Sequence, residues 1–441
     1  MNLTLKAYLL PKLRPKQRAF RRLRADIMRI LALPLKLSPF SSKVAGPPKG
    51  AYASAADWLL SGGDTPGIDK VFQKLHDQEK IYRTKPHSLD GKIHWKIRNE
   101  YKHITPEIFV ANGRDIRLWT HRDKAGQIDA LAYISQDDLV IGGLSDDWTS
   151  DLESHRVFSQ FYLGKAYSLP GTSLVLADLW GNQFYHWFLG ILPKIAMVKD
   201  AGVDLDTIDS IIVNNTSQPF VRDCLKKMGI PLEKLVSTKK HPFIEADQMI
   251  IPSRPWKLGN PPEWAVKFLR DTFLPATEES KEYPKKFYIS RSYQIFRHVV
   301  NEAEITEFLK PMGVVPVNLE NYNLEQQIAL FAGAELIITP HDERLALLAL
   351  CQPKTKVIEF FSPLYVNAAF YSLSSLVNLS YYYLIGEGPS HPEGKSPEIG
   401  GANIRLSLTK LKATLDFAEV EEDHEWKEFH DPDTVEHRRM E

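Results

Sequence analysis

The stretch NLEQQIALFAGAELIITPH, residues 323–341, followed by KVIEFF, residues 356–361, decides the fold of this chain. Asn323 and Gln326 have the spacing of a helix cap, and apolar residues at helical spacing follow until Gly333, a residue type that commonly ends helices. The apolar, β-branched run that comes next predicts a strand, and KVIEFF predicts a second one. A helix that leads into two successive buried strands is typical of an α/β protein.

The alternation of strand and helix continues over much of the chain. Helix-length segments separate the β-branched runs at a spacing of about 25 residues, so the connections are crossovers and the strands are parallel. Residues 90–170 carry shorter alternating runs, which indicate additional β structure. The predicted strands are Ser173–Ala177, Ser210–Val213, Gln248–Ile251, Lys286–Ile289, Val314–Val317, Glu335–Thr339 and Lys356–Phe361.

A cluster of prolines divides this pattern into two parts. Six prolines lie between residues 252 and 284, around one predicted helix, Glu263–Phe273. Proline stiffens a connection and needs no ladder hydrogen bond, as a domain junction requires. Residues 39–67 are rich in Ser, Gly, Pro and Ala and predict a linker or irregular loop. The predicted division is therefore 1–67 as arm and linker, 68–260 and 285–400 as two α/β domains, and 401–441 as a C-terminal helix and acidic tail.

Composition excludes several classes of protein. The 441 residues include 43% hydrophobic residues and equal numbers of basic and acidic residues, 55 of each. An apolar fraction near the globular average excludes wholesale disorder, and a balanced charge gives no sign of a nucleic-acid partner. The two cysteines, Cys224 and Cys351, make neither a disulfide framework nor a Cys-x-x-Cys site. A reducing compartment fits best, and we expect a cytoplasmic protein.

The zero net charge is the sum of two charged ends. Residues 1–36 carry ten basic residues and one acid, a net charge of +9, and residues 417–441 carry ten acids and three basic residues, a net charge of −7. The basic segment predicts either a disordered tail or reversible contact with an anionic membrane, peripheral on its inner face. Its apolar run, interrupted by Arg29, Pro34 and Lys36, is too short to predict a transmembrane helix.

The first stretch that could carry chemistry follows the strand at Leu174. From Trp180, apolar residues recur at the period of a buried helix face, and a separate stripe holds Asn182, His186 and Gly190. The helix that follows a parallel strand directs its N-terminus to the edge of the sheet where ligands of α/β proteins bind. His186 is therefore either a site residue or a hydrogen-bonded core histidine.

The second stretch contains two arginines beside a predicted helix start. A strand delivers Arg291 to the carboxyl edge of the sheet, and the next loop carries Arg297. Asn301 and Glu304 have the spacing of a capping box. Guanidinium groups beside a helix N-terminus match a diphosphate, although surface ion pairs would account for the same pattern.

The third stretch adds two side chains at the ends of the next strands. His341 follows one predicted strand and Glu359 lies near the end of another, so both are expected at the edge that carries Arg291. A carboxylate at this place could accept hydrogen bonds from ribose hydroxyls, and a capping or ion-pairing role is the alternative.

Together and in this order, the three stretches resemble glycosyltransferase family 61 over about residues 170–385. Residues 182–193 look like the family's Asn-x-x-His-Trp helix, residues 288–302 look like its Ile-Ser-Arg…Arg…Asn-Glu segment, and residues 324–359 look like its nucleotide-side half. The resemblance implies a GT-B-like pair of Rossmann-like domains with a central cleft. It also implies an inverting, metal-independent hexosyl- or pentosyltransferase that needs no cofactor beyond its donor, a nucleotide-sugar such as a UDP-sugar.

The resemblance also assigns roles to residues of this chain. The implied acceptor is a cell-surface polysaccharide, such as a capsular polysaccharide, or its lipid-linked precursor, bound by the domain at 68–260; the donor is bound by the domain at 285–400. The implied catalytic base is His186, and Asp178 is either the alternative base or the group that orients His186. The implied acceptor-side residues are Asn182, Tyr185 and Trp187. The implied donor-binding residues are Arg291, Arg297, Asn301, Glu302, His341, Arg344 and Glu359.

One segment departs from the family pattern. Where the family has His-Gly-Ala-Gly-Leu, this chain has His341-Asp-Glu-Arg-Leu345. Asp342 and Glu343 bring negative charge to a helix N-terminus that the donor would occupy. The alternative function is therefore a catalytically impaired member that serves as a glycan-binding or scaffold protein in polysaccharide assembly.

Overall fold

The computed structural model describes residues 19–28, 30–32, 46–61, 71–89, 91–148, 151–256, 259–274, 283–292, 296–390 and 402–420. Most of the basic arm and the acidic residues after 420 lie outside these ranges, so the predictions made for them stay predictions. The described chain is a mixture of helices and parallel and antiparallel strands, which confirms the α/β class. None of the described helices is long and apolar enough to span a membrane.

The strands are numbered in chain order. They are β1 Gly50–Tyr52, β2 Val71–His76, β3 Lys80–Tyr82, β4 Lys102–Ile104, β5 Ile108–Arg122, β6 Ile128–Ile134, β7 Leu139–Ile141, β8 Asp146–Asp147, β9 Tyr167–Val175, β10 Ser210–Val213, β11 Leu235–Ser237, β12 Phe243–Pro252, β13 Lys286–Ile289, β14 Val315–Val317, β15 Leu336–Pro340, β16 Lys356–Phe361 and β17 Ser380–Ile385.

The helices of the described chain vary from one turn to more than three. Residues 19–28 and 30–32 are helical, and the other α-helices are Ala55–Leu60, Trp95–Arg98, Phe184–His186, Pro193–Asp200, Pro219–Lys227, Glu263–Phe273, Glu302–Leu309, Leu324–Ala332, Ala369–Val377 and Leu408–Val420, with a π-helical turn at Trp187–Ile191. The 3₁₀ segments are Arg156–Ser159, Leu205–Thr207, Leu232–Lys234, Lys310–Met312, Leu319–Asn321 and Glu343–Leu350.

The chain divides into two compact units. Unit 1 contains residues 1–78 and 106–255, and unit 2 contains residues 79–105 and 256–441. The boundary at 255/256 lies within the proline-rich junction. The assignment of residues 79–105 differs from the sequence-based division, which placed them in the first domain. Pairing between residues far apart in the chain has no local sequence signature, so this excursion was not predictable.

Unit 1 is built on a ten-stranded mixed sheet. The main order of its strands is β1-β7-β6-β5-β12-β9-β10-β11. In addition, β2 pairs with β5 and β8 pairs with β6. The strands β12, β9, β10 and β11 are parallel to one another, whereas β5 and β6 are antiparallel neighbours. The antiparallel part is the β structure predicted for residues 90–170. The parallel part carries the strand ends that the sequence associates with a site.

Residues 46–61 differ from the predicted linker. The strand β1 pairs with β7, and Ser54 caps the helix Ala55–Leu60 with its side chain. Trp58 in this helix is 1% exposed and belongs to the main core of unit 1. The burial of this large aromatic side chain stabilises the ordered conformation of a segment whose average composition is that of a loop.

Unit 2 is built on a five-stranded parallel sheet in the order β14-β13-β15-β16-β17. Within this sheet the sequential order is 2-1-3-4-5, so the direction of winding reverses between β13 and β15. Such a reversal opens a crevice at the carboxyl ends of these two strands, where open α/β sheets bind ligands. Arg291 follows β13 and His341 follows β15, so both belong to this edge.

The helix that precedes β15 confirms the local prediction in detail. Asn323 and Gln326 form a reciprocal capping box, and Gly333 is the C-cap. The buried face of this helix includes Ile328 and Phe331, and Phe331 packs against Phe287 on β13. This packing fixes the distance between the helix and the sheet and thereby positions the strand that delivers His341.

Candidate active site

Unit 1 carries a buried ion cluster at the carboxyl end of β9. The carboxylate of Asp178 accepts a hydrogen bond from Lys194 Nζ at 2.7 Å and another from Arg254 Nη2 at 2.5 Å. Arg254 also pairs with Asp146. Asp178 and Lys194 are both less than 9% exposed. Two acids and two bases therefore compensate one another in a place where an unpaired charge would be costly.

The electrostatics of the cluster favour the ionised form of Asp178. Burial alone would raise the pKa of Asp178, but the positive charges of Arg254 and Lys194 outweigh it and hold that pKa below its ordinary value. Burial lowers the pKa of Lys194 in spite of the neighbouring carboxylate. Burial would also lower the pKa of Arg254, but Asp178 and Asp146 raise it. Asp178 is thus a weak base, because two cations stabilise its anionic form.

The cluster lines a small pocket of about 70 Å³ within unit 1. Tyr133, Ser145 and Ser253 join the charged side chains in its wall. Burial, with Asp178 beside it, raises the pKa of Tyr133 above its ordinary value, so the phenol stays protonated. A pocket of this size holds a few waters or one polar substituent of a ligand.

His186 lies beside this cluster, in a helix that is shorter than predicted. The α-helix begins at Phe184 rather than at Asn182, and it continues as the π-helical turn, in which Leu192 N donates to Trp187 O. Pro193, which has no N–H, begins the next helix. The extra residue in the turn accommodates this proline, so the predicted stripe of Asn182, His186 and Gly190 does not form.

The imidazole of His186 is partly buried. Burial, reinforced by the positive charge of Arg254, lowers its pKa to about 4, although the carboxylate of Asp178 opposes the shift. His186 is therefore neutral at pH 7 and able to accept a proton. Close to it, Trp180 has a φ of +60°, a left-handed conformation that costs a non-glycine residue free energy and often marks a functional site.

The three residues predicted on the acceptor side have different environments. Asn182 is partly buried and its Nδ2 donates to Gly126 O at 3.0 Å. Tyr185 is also partly buried, and its ring lies edge-on to His186, with centroids 5.3 Å apart. Trp187 is 0% exposed and packs in the core near Phe220, so it supports the helix and does not line an open surface.

Arg291 is at the carboxyl edge of the sheet of unit 2, as the sequence predicted, but it has a partner that the sequence did not reveal. Its guanidinium forms an ion pair with Asp342, which follows β15. Asp342 also caps the 3₁₀ segment Glu343–Leu350, because its Oδ1 accepts from Arg344 N at 2.7 Å. The position that a glycine-rich loop would leave open for an anion therefore already contains a carboxylate.

Glu302 fixes the loop that carries Arg291. Its carboxylate accepts hydrogen bonds from Tyr288 Oη at 2.9 Å, from Ser290 Oγ at 3.1 Å and from Arg291 N at 3.1 Å. Burial, together with the like charge of Arg297, lowers the pKa of Arg291 to about 10, so it remains a cation at pH 7. Glu302 thus positions the arginine and has little capacity left for a ligand.

Asn301 does not form the predicted capping box. Its side chain exchanges two hydrogen bonds with the backbone of Leu406, at 2.9 and 3.0 Å, and makes no cap bond to its own helix. The helix nevertheless begins at Glu302, as expected. The hydrogen bonds to Leu406 replace the local cap because they satisfy both the Nδ2 donor and the Oδ1 acceptor of Asn301 in the interior.

His341, Glu359 and Tyr381 form a buried hydrogen-bonded chain. His341 Nδ1 and Glu359 Oε1 are 2.5 Å apart, and Tyr381 Oη donates to the other oxygen of Glu359. Burial, aided by the positive charges of Arg297 and Arg291, lowers the pKa of His341. The sequence predicted His341 and Glu359 at one edge, and the structure places them in direct contact. Tyr381 was missed, because β17 was not among the predicted strands.

Two further residues were predicted to bind the donor, Arg297 and Arg344. Arg297 has a φ of +57°, and its guanidinium lies over the ring of Tyr365, with Cζ 5.8 Å from the centroid. Arg344 is partly buried in the first turn of the 3₁₀ segment that Asp342 caps. Arg297 and His341 both contact the ring of Tyr365, and Arg291 pairs with Asp342, the residue after His341.

Two charged partners in these sites, Arg254 and Lys194, escaped the sequence analysis. Arg254 lies two residues after the end of β12, as Arg291 lies two residues after the end of β13, and this parallel was a usable signal. Lys194 gave no such signal, since it looks like a surface charge in the sequence. The negative charge of Asp342 was noted in the sequence, but its ion pair with Arg291 was not predicted. Among the described residues no cluster of three or more His, Cys, Asp or Glu side chains could hold a metal ion.

Comparison with known proteins adds one finding. The family model described as Glycosyltransferase 61 matches residues 184–358, from the helix of His186 to the strand β16. The matched segment is 175 of the 441 residues, and it agrees with the resemblance to glycosyltransferase family 61 that the motifs indicated. The family implies a glycosyltransferase activity in general terms, with a sugar donor and a glycan acceptor as substrates. No curated protein matches the chain.

Proposed function

We propose that this protein is an inverting glycosyltransferase that moves a sugar from a nucleotide-sugar, such as a UDP-sugar, to a cell-surface polysaccharide or its lipid-linked precursor. The observation that carries the proposal is the gathering of Arg291, Arg297 and His341 at the switch point of the parallel sheet. An anionic cofactor or donor is the expected ligand of two guanidinium groups at such an edge.

In this proposal, unit 2 binds the donor. Arg291 and Arg297 bind the diphosphate and neutralise the charge that develops as it departs. The donor phosphate competes with Asp342 for Arg291, so the affinity is lower than that of a site with an open glycine loop. The hydrogen bonds of Glu359 with His341 and with Tyr381 fix the imidazole of His341 at this edge of the sheet.

Unit 1 activates the acceptor. His186, neutral at pH 7, accepts the proton of the acceptor hydroxyl while the oxygen attacks the anomeric carbon. The bond from that carbon to the diphosphate breaks, and the diphosphate leaves with the electron pair. Asp178 and its partners Lys194 and Arg254 fix the polar surroundings of the imidazole. In this proposal unit 1 is the acceptor domain and unit 2 is the donor domain that the family resemblance implies.

The test of this assignment is the variant His186→Ala. It should fold like the parent protein and lose at least about a hundredfold in sugar transfer, the size of a general-base contribution. His241→Ala is the matched control, because His241 packs on Tyr167 at another part of unit 1. Transfer is read by mass in a screen of nucleotide-sugars with an acceptor extract. Unchanged transfer by His186→Ala would show that another group is the base.

The ion pair between Arg291 and Asp342 favours a second candidate function. A family member whose phosphate site is filled by its own carboxylate could serve as a glycan-binding or scaffold protein in polysaccharide assembly. Calorimetry with UDP, GDP, CDP and dTDP separates the two. Binding of any of them supports the enzyme, and a folded protein that binds none supports the scaffold.

We also propose that the protein contacts an anionic membrane reversibly, on the cytoplasmic face. Residues 19–28 and 30–32 are helical, and Ala25 on this helix is 3% exposed and belongs to a core cluster of unit 1. Arg22 pairs with Glu153 at 2.8 Å. The helix is thus attached to unit 1, while a stripe of large apolar side chains faces outward. These are Phe20, Leu23, Ile27, Ile30 and Leu31, exposed by 45% to 72%.

An exposed apolar stripe inside a segment of net charge +9 matches the surface of an anionic bilayer. The membrane proposal is tested by sedimentation with vesicles of phosphatidylglycerol and phosphatidylcholine. Deletion of residues 1–18 should reduce binding in a salt-sensitive manner, and Leu23→Ser with Ile30→Ser should reduce it at any salt concentration. Equal sedimentation of all three proteins would contradict the proposal. The deletion ends before residue 19 because the helix that follows packs against unit 1.

A further inference from the structure

Two tryptophans of unit 1 contact each other next to the helix that carries His186. The rings of Trp148 and Trp180 lie edge to face, with centroids 5.6 Å apart and ring planes at 74°. Trp148 is 51% exposed, whereas Trp180 is partly buried. Both residues precede the region 184–358 that the family model matches, so the family motifs assign no role to either of them.

The backbone of Trp148 is fixed although its side chain is exposed. Trp148 N donates to Asp129 O at 3.0 Å, and the carboxylate of Asp129 pairs with Arg156 at 2.6 Å. Trp148 also lies two residues after Asp146, which pairs with Arg254 and lines the pocket of the ion cluster. Two residues of extended chain span at most about 7 Å. The exposed indole therefore has a rigid support and is close to the pocket.

Trp180 connects the aromatic pair to the helix of His186. Trp180 O accepts from Gln183 N at 2.9 Å, and Gln183 is the N-cap residue of that helix. Trp180 N donates to Ile128 O at 3.0 Å. Its φ of +60° is strained for a residue with a Cβ atom. A strained backbone that hydrogen bonds hold on both sides is expected where the side chain has to keep one orientation for a ligand.

Three buried polar atoms of this region have no hydrogen-bond partner in the described part of the chain. They are Trp180 Nε1, Gln127 Oε1 and Asn182 Oδ1. Asn182 Nδ2 donates to Gly126 O at 3.0 Å, so Asn182 and Gln127 belong to two segments in direct contact. Each of the three residues is only partly buried, so a side-chain rotation can bring its polar atom to the surface. One donor and two acceptors match hydroxyl groups, which both donate and accept.

A sugar ring fits these groups better than an apolar or a charged ligand does. The C–H groups on one face of a sugar ring form an apolar surface that packs on an indole, and the hydroxyl groups lie around its rim. An apolar ligand would leave the three polar atoms without hydrogen bonds. A charged ligand would find that the charges of Asp129, Asp146 and Arg254 are already paired.

We propose that Trp148 and Trp180 form a subsite of unit 1 that binds a sugar ring of the acceptor glycan by stacking on the indole of Trp148. The inference rests on the proposed function, in which unit 1 binds the acceptor. It adds two acceptor-binding residues to Asn182 and bases the affinity on stacking and hydrogen bonds to neutral groups. Acceptor binding is therefore insensitive to salt.

The experiment replaces the nine tryptophans of the full chain by 5-fluorotryptophan and follows them by fluorine NMR. The signals of Trp148 and Trp180 are assigned from the variants Trp148→Phe and Trp180→Phe. The probes are hexasaccharides of glucose, mannose, galactose, xylose and N-acetylglucosamine, each titrated to millimolar concentration without a donor. At least one of them should shift both signals, at low and at high salt concentration, and UDP should shift neither.

The variant Trp148→Ala removes the stacking surface. It should weaken the binding of that hexasaccharide about tenfold or more, measured from the shift of the Trp180 signal. Trp148→Tyr keeps an aromatic face and should bind it within about threefold of the parent protein. Tyr162→Ala is the matched control, because Tyr162 is a 65% exposed aromatic residue of unit 1 outside the pair. The thermal midpoint of each variant is measured in parallel, to establish that it folds.

Three results would overturn the subsite. They are equal binding by Trp148→Ala and the parent, a parent in which no hexasaccharide shifts either signal, and signals that shift with UDP alone. The last result would mean that the indole stacks on the nucleobase of the donor.

The two kinds of ligand separate the subsite from the proposed function. If a hexasaccharide binds in a Trp148-dependent way while the parent binds no nucleoside diphosphate and transfers no sugar, the subsite is supported as a glycan site and the transferase function is overturned. If the parent binds UDP and no hexasaccharide, donor binding stands and the subsite is overturned.

Discussion

Asp342 is the side chain that reduces the positive charge of the proposed donor site. It neutralises Arg291 and caps the segment Glu343–Leu350. Asp342→Asn removes the negative charge, and its amide oxygen can still accept the capping hydrogen bond. We expect this variant to bind nucleoside diphosphates about tenfold or more tightly, because the phosphate no longer displaces a carboxylate.

The same substitution should lower the stability of the protein without ligand. Arg291 is buried, so the loss of its partner leaves an uncompensated charge and costs roughly 3 kcal/mol. Chemical denaturation with and without UDP measures both effects, since a ligand that replaces the carboxylate restores the stability. Asp271→Asn, which removes an exposed carboxylate that pairs with Lys267, is the control. A variant that loses stability and gains no affinity would contradict the proposed competition.

His186 gives the proposed transfer reaction its pH dependence. Burial lowers its pKa to about 4, so the proton-accepting form predominates throughout the neutral range. The rate constant kcat/KM should therefore be level between pH 8 and 6 and should fall only as the pH approaches 4. An ordinary histidine would give a midpoint near 6.5. A measured midpoint at or above that value contradicts the proposed role.

Folding stability changes over the same acidic range and is measured alongside. The pKa of His186 is lower in the folded protein than in the unfolded chain, so the unfolded chain binds more protons between the two values. The stability contributed by the neutral imidazole is complete above about pH 6.5 and is lost as the pH falls toward 4. His186→Gln should therefore unfold less steeply with acid than the parent protein does.

At the scale of secondary structure, the parallel strands were the most predictable elements. The predicted bounds of β10, β13 and β16 agree with the structure residue for residue. These strands are apolar on both faces because helices cover both sides of a parallel sheet, and such runs are conspicuous in a sequence. The helix of Asn323 was equally predictable, because its cap is formed by neighbours in the chain.

The elements that escaped prediction depend on distant partners or on an irregular period. Asn301 has nearly the same local pattern as Asn323, yet it pairs with Leu406, 105 residues further on. The π-helical turn after His186 inserts one residue into a helical repeat, and a regular periodicity cannot reveal such an insertion. The sequence therefore predicted the motif residues of the candidate site, whereas the ion pairs that these residues make were identified only from the structure.

The helix Ala55–Leu60 gives a prediction at the same scale. Trp58 is 1% exposed, and Gly113 on β5 lies so close that an added Cβ would be 2.6 Å from its ring. Trp58→Ala should reduce the free energy of unfolding by about 3–5 kcal/mol, because it leaves a large cavity. The matched control is Leu60→Ala in the same helix, at an 82% exposed position, with an expected change within about 0.5 kcal/mol.

Chemical denaturation in urea measures the two variants. A loss of stability in Trp58→Ala that is no larger than that in Leu60→Ala would show that residues 46–61 are not an integral part of the core.

At the scale of the whole molecule, the chain crosses from one unit to the other three times, after residues 78, 105 and 255. The excursion 79–105 completes unit 2. His87 N donates to Tyr381 O at 2.9 Å, and the ring of His87 stacks on Tyr382 at 4.4 Å. These contacts cover one edge of the five-stranded sheet, which would otherwise present unpaired backbone groups.

This organisation predicts how fragments behave. A protein of residues 259–420 lacks the excursion, so we expect it to aggregate or to unfold without a cooperative transition. Addition of a peptide of residues 79–105 should restore a cooperative transition, measured by circular dichroism during thermal unfolding. A peptide of the same composition in scrambled order is the control. A fragment with the same transition midpoint with and without the peptide would contradict the prediction.

The excursion also sets a waiting time during synthesis. His87 and its partner Tyr382 are 295 residues apart in the chain, the difference between 382 and 87. At translation rates of about 5–20 residues per second, roughly 15–60 s elapse between the emergence of one and the other from the ribosome. During that interval residues 79–105 have been synthesised but lack the strand of unit 2 with which they pair. The parallel sheet of unit 2 is complete only after β17 has emerged, so we infer that the proposed donor site forms late in synthesis.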